Sequence, residues 1–170
     1  TVIATKGNGI NVLAQQTPNG EVVSSSLTVK GGYVNSEEYG LGAYGNKAVL
    51  NVSSGVTVAD NNAVVSGNGT VNETTNAGGT EINLTGGTLI GHITTGGYIA
   101  CGVYHPQSGK LTISGDVDIY ADGGVGVLMR AGTAEITGGT ITGTGTAAGW
   151  VGDNKNAIPC SGVVYDEAAK

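Results

Sequence analysis

Short runs of alternating apolar and polar positions recur along the chain, each followed by a small turn. They are SLTVKGGYV (Ser26–Val34), VLNVSSGVTV (Val49–Val58), EINLTGGTLI (Glu81–Ile90), KLTISGDVDI (Lys110–Ile119) and AEITGGTITG (Ala134–Gly143). Their common form is apolar, polar, apolar, a turn of Ser, Thr and Gly, then another apolar position two or three residues on. The leading positions Leu27, Leu50, Ile82, Leu111 and Ala134 are separated by 23, 32, 29 and 23 residues. A second module falls between the copies: GLGAYGN (Gly40–Asn46), IACGVYHP (Ile99–Pro106), VGVLMRAG (Val125–Gly132) and CSGVVYD (Cys160–Asp166). One unit therefore predicts two or three short strands joined by Gly-rich corners, in a turn of about 23 to 32 residues, the size of one solenoid coil.

Two-residue hairpins would place Asn-Gly or Asp-Gly between longer runs. The corners here are GG or SG between runs of three or four residues, which suits a chain that bends and continues. A parallel β-solenoid follows, with coils stacked roughly 4.8 Å apart and like strands paired between neighbours. Leu27/Val29, Leu50/Val52, Ile82/Leu84, Leu111/Ile113 and Ala134/Ile136 are expected to form inward columns, with Thr28, Asn51, Asn83, Thr112 and Glu135 facing solvent. Gly31, Gly32, Gly55, Gly86, Gly87, Gly115, Gly138 and Gly139 are expected to supply positive φ at the corners. Residues 1–25, including GINVLAQQ (Gly9–Gln16), are expected to form a first irregular coil or cap. Residues 26–170 are expected to form the solenoid and to be part of a longer protein.

Composition agrees with this pattern. The 170 residues include 32 Gly and no Phe, and only 12% are charged, which is poor material for a helical bundle. Gly does not recur at every third position, so collagen is excluded, and evenly spaced Val, Ile and Leu argue against a disordered linker. The net charge of −6 argues against nucleic acid as a partner. No apolar stretch is long enough for membrane insertion as a helix.

Repeats such as KLTISGDVDI and EINLTGGTLI, alternating with GVGVLM and CGVYH, resemble the Gly-rich regions of large secreted or wall-anchored proteins of Gram-positive, often gut-dwelling, bacteria. Those regions are right-handed parallel β-helices, and the wider fold is that of pectate lyases and phage tailspikes. The resemblance covers about Ser26 to Tyr165. It implies an all-β chain, a single-stranded right-handed parallel β-helix of about five to seven coils, at the cell surface or outside the cell. It says little about activity.

A glycosidase needs two or three carboxylates across a groove, roughly 5 to 9 Å apart. Asp116 and Asp118 alternate onto one face with Asp122 nearby, and Arg130 is the sole arginine. Tyr104, His105, Tyr120 and Asp122 are the ligand-contacting candidates. No catalytic role is assigned, because Asp116 stands where other copies carry a corner glycine and the other acids suit solvent-facing turns. The polygalacturonase pattern is reduced to the fragment Gly91-His92-Ile93, and the acids around a lone arginine fall short of a pectate lyase site. No cofactor or metal is expected; for calcium, Asp116, Asp118 and Asp122 are fewer than the six or more oxygens such sites gather. Cys101 and Cys160 fall two coils apart, near 9 to 10 Å, beyond disulfide reach, and are expected to be free. Tyr33, Tyr39, Tyr44, Tyr98, Tyr104, Tyr120 and Tyr165, with Trp150, would form a sugar-stacking strip if several faced out together.

The Thr-rich run Thr140, Thr142, Thr144 and Thr146 raises ice binding. The aligned corner positions Val34, Val56, Thr88 and Asp116 interrupt the threonine ladder such a plane requires. The sequons at Asn51, Asn68, Asn72 and Asn83 follow from composition. The expected function is a non-catalytic extracellular module: an adhesin or rigid spacer presenting a sheet face to a glycan or a host-surface protein. Its rivals are a fragment of a carbohydrate-active enzyme or phage tailspike, and a filament subunit that self-associates end to end or laterally.

Overall fold

The computed structural model describes residues 1–14, 18–21, 23–45, 47–67, 80–93, 101–105, 109–129, 132–145 and 163–165. The fold is all-β and solenoid-like, and every strand pairing is parallel. In chain order the first rung holds β1 (Val2–Ala4) and β2 (Ile10–Ala14), and the second β3 (Ser25–Ser36) and β4 (Leu41–Gly45). The third holds β5 (Ala48–Ala59) and β6 (Val65–Ser66), and the fourth β7 (Thr80–Leu84), β8 (Thr88–His92) and β9 (Cys101–His105). The fifth holds β10 (Gly109–Ile113), β11 (Asp118–Asp122) and β12 (Val125–Met129), and the sixth β13 (Thr133–Ile136), β14 (Thr140–Gly143) and β15 (Val163–Tyr165).

Strands pair with their counterparts on adjacent rungs in two curled sheets. The nine-stranded sheet has two arms. The first contains the N-terminal halves of β3 and β5 with β7, β10 and β13; the second contains β1, the C-terminal halves of β3 and β5, and β8, β11 and β14. The six-stranded sheet, β15-β12-β9-β6-β4-β2, makes a third wall. Residues 1–25 thus contribute two strands laid parallel on the next rung.

The interior is built from columns. Leu27, Leu50, Ile82, Leu111 and Ala134 are successive partners, as are Val29, Val52, Leu84, Ile113 and Ile136. From the second arm come Val34, Thr57, Leu89, Ile119 and Ile141, and from the third wall Leu41, Val65, Val103 and Val127. Most of these side chains pack into one core. A fully buried Val, Leu or Ile contributes about 1.5–3 kcal/mol, so the repeated column is the main source of cohesion. Ala134 and Ile136, expected inside, are instead exposed, because β13 is an outer strand of its arm.

Three residues join the arms at Lys30–Gly32, Ser53–Gly55, Thr85–Gly87 and Thr137–Gly139, but four at Ser114–Val117. The fourth is Val117, which is buried in the core. The column after the corner is therefore Tyr33, Val56, Thr88, Asp118 and Thr140, which corrects the expected alignment of Val34, Val56, Thr88 and Asp116. Val34 points inward, and the extra residue moves the aligned acid from 116 to 118. The corner glycines divide in two ways. Gly32, Gly55, Gly87, Gly115 and Gly139 have positive φ, whereas Gly86 and Gly138, expected to share it, do not. Gly86 is required by close approach: a Cβ there would sit 2.5 Å from the carbonyl oxygen of Ser53 on the rung before.

Candidate functional site

The two faces of the third wall are both closed in the middle of the stack. All five residues of β9 and of β12 are buried, so these runs lose the alternation of a half-exposed strand. A satellite cluster of Cys101, Tyr104, Val125, Leu128 and Ala63 forms there, with Tyr39 against it. The Cys101 thiol is free and buried; burial pushes its pKa up, and a hydrogen bond involving the Leu128 backbone offsets only part of that shift. Tyr39 is pushed up to about 12, chiefly by burial and then by charge interactions with Tyr44, Cys101 and Glu38. Tyr104 and His105 are buried on β9.

The outward side of the second arm is different. Strand alternation turns Leu89, Ile119 and Ile141 inward, which puts their neighbours on the outer surface. One outward column runs Tyr33, Val56, Thr88, Asp118, Thr140, and beside it runs Asn35, Val58, Ile90, Tyr120, Thr142. Tyr33, Val56 and Tyr120 are exposed. Apolar groups of this size stand open on a sheet whose inward side is a closed core, so folding of the rung does not account for their exposure.

Beyond these columns lies a polar edge. His92 and Asp122 are direct partners in the β8–β11 ladder, and His92 Nδ1 lies 3.3 Å from Asp122 Oδ2. An ionised carboxylate only accepts, so the contact is a hydrogen bond when Nδ1 carries the proton. The Gly123 N–H donates to Thr144 Oγ1 at 2.8 Å, and that hydroxyl lies 3.4 Å from Asp122 Oδ1. Asp60 follows Ala59, the partner of Gly91, and accepts from Asn35 Nδ2 at 3.3 Å. The sequence Asp60, His92, Asp122, Thr144 thus runs across four rungs. The first arm presents a polar face: Asn83 Nδ2 donates to Asn51 Oδ1 at 2.9 Å, and Lys110 Nζ meets Glu135 Oε2 at 2.7 Å.

Of the residues singled out in the sequence, Asp118, Tyr120 and Asp122 come together on the outward side of β11. Asp116 stands in the corner just before them, exposed. Tyr104 and His105 lie on the other sheet. Arg130, Cys160, Tyr98, Trp150, Thr146, Asn68 and Asn72 lie outside the described residues. His92 was visible in the sequence only as part of a broken motif, and Val56 carried no chemical signature; of the tyrosines considered for a stacking strip, Tyr33 and Tyr120 face out on the second arm, whereas Tyr104 is buried and Tyr39 packs against the satellite cluster. Aligning TLIGH with DIYAD strand on strand places His92 opposite Asp122 and Ile90 opposite Tyr120. Among the described residues no three His, Cys, Asp or Glu side chains are gathered as a metal site. Comparisons with protein-family models, curated proteins and solved structures return no match to this chain.

Proposed function

We propose that the chain is a right-handed parallel β-helix module, of the five to seven coils its repeat implies, that acts outside the cell or at its surface as a non-catalytic glycan-binding unit. The observation that supports binding is the outward side of the second arm, where Tyr33, Val56 and Tyr120 stand exposed among Thr, Asp and His side chains. Sugar rings present flat patches of C–H groups rimmed by hydroxyls. A surface suited to them combines aromatic faces with a few fixed polar groups. Tyr33 and Tyr120 are three rungs apart, about 14 Å along the ladder, so an extended saccharide can lie across both. Side chains held on a hydrogen-bonded ladder lose little further freedom on binding. The extracellular setting rests on the resemblance of the repeats to bacterial surface proteins.

A fragment of a carbohydrate-active enzyme is the second reading, favoured by the contact between His92 and Asp122, on the same strand as Asp118. Asp118 and Asp122 are four residues apart on one strand, roughly 13 Å, wider than the ~5–9.5 Å of glycosidase carboxylate pairs. A polysaccharide screen of the wild type, Tyr120→Ala and Asp118→Asn separates the readings. Binding without cleavage, weakened about tenfold in Tyr120→Ala, is the expected result. Cleavage abolished in Asp118→Asn would replace it with the enzyme.

A further inference from the structure

Charge is unevenly spread over the outward side of the second arm. Its strands carry no lysine or arginine beyond the corner, whereas β11 turns Asp118, Tyr120 and Asp122 outward at alternate positions, each about 6.6 Å from the next. Asp116 stands exposed in the corner before them. Of the lysines that the structure describes, Lys6 and Lys30 belong to the first two rungs, Lys47 leads into β5, and Lys110 is paired with Glu135 on the first arm. The Asp122 carboxylate already meets His92 Nδ1 and Thr144 Oγ1. The Asp118 carboxylate has no ion-pair partner among the described residues, so its charge is open to a ligand. Across the ladder Asp118 is flanked by Thr88 and Thr140, and Tyr120 by Ile90 and Thr142.

These surroundings rank the saccharides that the surface can hold. A uronate or sulfated chain would set its anions against Asp118 and Asp122, with no ammonium or guanidinium on those strands to receive them. A neutral chain stacks on the tyrosines and leaves the carboxylates unused. A sugar ring with a free amine uses both, because an ammonium is drawn to an aromatic face within about 6 Å and makes a charge-assisted hydrogen bond to a carboxylate. That amine is fixed to its ring, so stacking the ring on Tyr120 places the charge with little further loss of freedom. The lysine side chains of a basic peptide must give up their own rotamers.

We propose, resting on the glycan-binding reading, that the glycan held by the second arm is an amino-sugar polymer with free amines, one ammonium seated between the Tyr120 ring and the Asp118 carboxylate. Asp122 adds to the negative field at that end of the surface.

Cello-, chitin- and chitosan-oligosaccharides of equal length differ only in a hydroxyl, acetamide or ammonium group at one ring carbon, so they isolate the charge. In calorimetric titrations of the folded chain, in mildly acidic buffer that keeps the sugar amines protonated, the chitosan oligomer is expected to bind about five- to tenfold more tightly than the other two. Asp118→Asn should cut that preference to about twofold or less. Glu81→Gln, which removes an exposed carboxylate from the first arm, should leave it unchanged. Raising the salt should narrow the gap, and unchanged β-type circular dichroism verifies folding of each variant. A chitosan oligomer that binds no more tightly than the other two, or a preference that survives Asp118→Asn or falls equally in Glu81→Gln, would overturn the cationic assignment and leave the glycan-binding reading standing. Binding of none of the three would overturn both. Oligolysine of the same charge bound more tightly than the chitosan oligomer would overturn the assignment in favour of a basic polypeptide.

Discussion

Ile82 sits fully buried in one column between Leu50 and Leu111, so the cost of shortening it is a transfer loss plus a cavity that a hydrogen-bonded ladder closes poorly. Ile82→Ala should destabilise the chain by about 2–5 kcal/mol in urea unfolding. The buried thiol sets a pH dependence. Burial raises the Cys101 pKa, so below the unfolded value near 9.0 its contribution to stability is fully present. As pH rises past that value the unfolded chain ionises first and binds fewer protons than the native one, so stability falls. Tyr39, raised from 10.0 to about 12, adds the same trend at higher pH. The drop in urea midpoint between about pH 8 and about pH 10 should be smaller in Cys101→Ala than in the wild type. The contact between His92 and Asp122 is exposed and contributes at most about 1 kcal/mol. His92→Ala should therefore fold with nearly wild-type stability, and any loss of glycan binding in it reports on the surface itself.

At the scale of elements, the corners decide where each strand begins. A methyl at Gly86 would run into the Ser53 backbone of the preceding rung, whereas Thr137 is an exposed corner residue. Gly86→Ala should cost about 1–3 kcal/mol while Thr137→Ala stays within about 0.5 kcal/mol, read by thermal unfolding. The first arm was legible in the sequence because one side of it faces water, so apolar and polar residues alternate and the columns of Leu50, Ile82 and Leu111 align by inspection. The third wall was less so. CGVYH and VGVLM are buried along their whole length and show no alternation, and β6 is two residues inside AVVSG. The outward columns were hidden for another reason. They depend on corner length, and the fourth residue of the Ser114–Val117 corner has no mark except the apolar Val117. Asp118, Tyr120 and Asp122 could be picked out individually, but their partners Thr88, Ile90 and His92 required the register.

The whole molecule is a stack in which each rung uses its side chains in three ways. The first arm is polar outside, with the Asn51–Asn83 ladder and the Lys110–Glu135 pair. The third wall is closed on both sides at its middle, and the second arm leaves aromatic and apolar groups open. The many glycines make this division workable, because bends that repeat keep each side chain type on its own face from rung to rung. Binding should therefore be confined to one side of the stack. The most direct measurement is chemical-shift mapping of the folded chain during titration with an oligosaccharide retained in the screen. Perturbations are expected at Tyr33, Val56, Thr88, Ile90, Asp118 and Tyr120, with the first-arm residues Asn51, Asn83 and Thr112 unmoved. Perturbations centred on that first arm, with Tyr33 and Tyr120 silent, would contradict it.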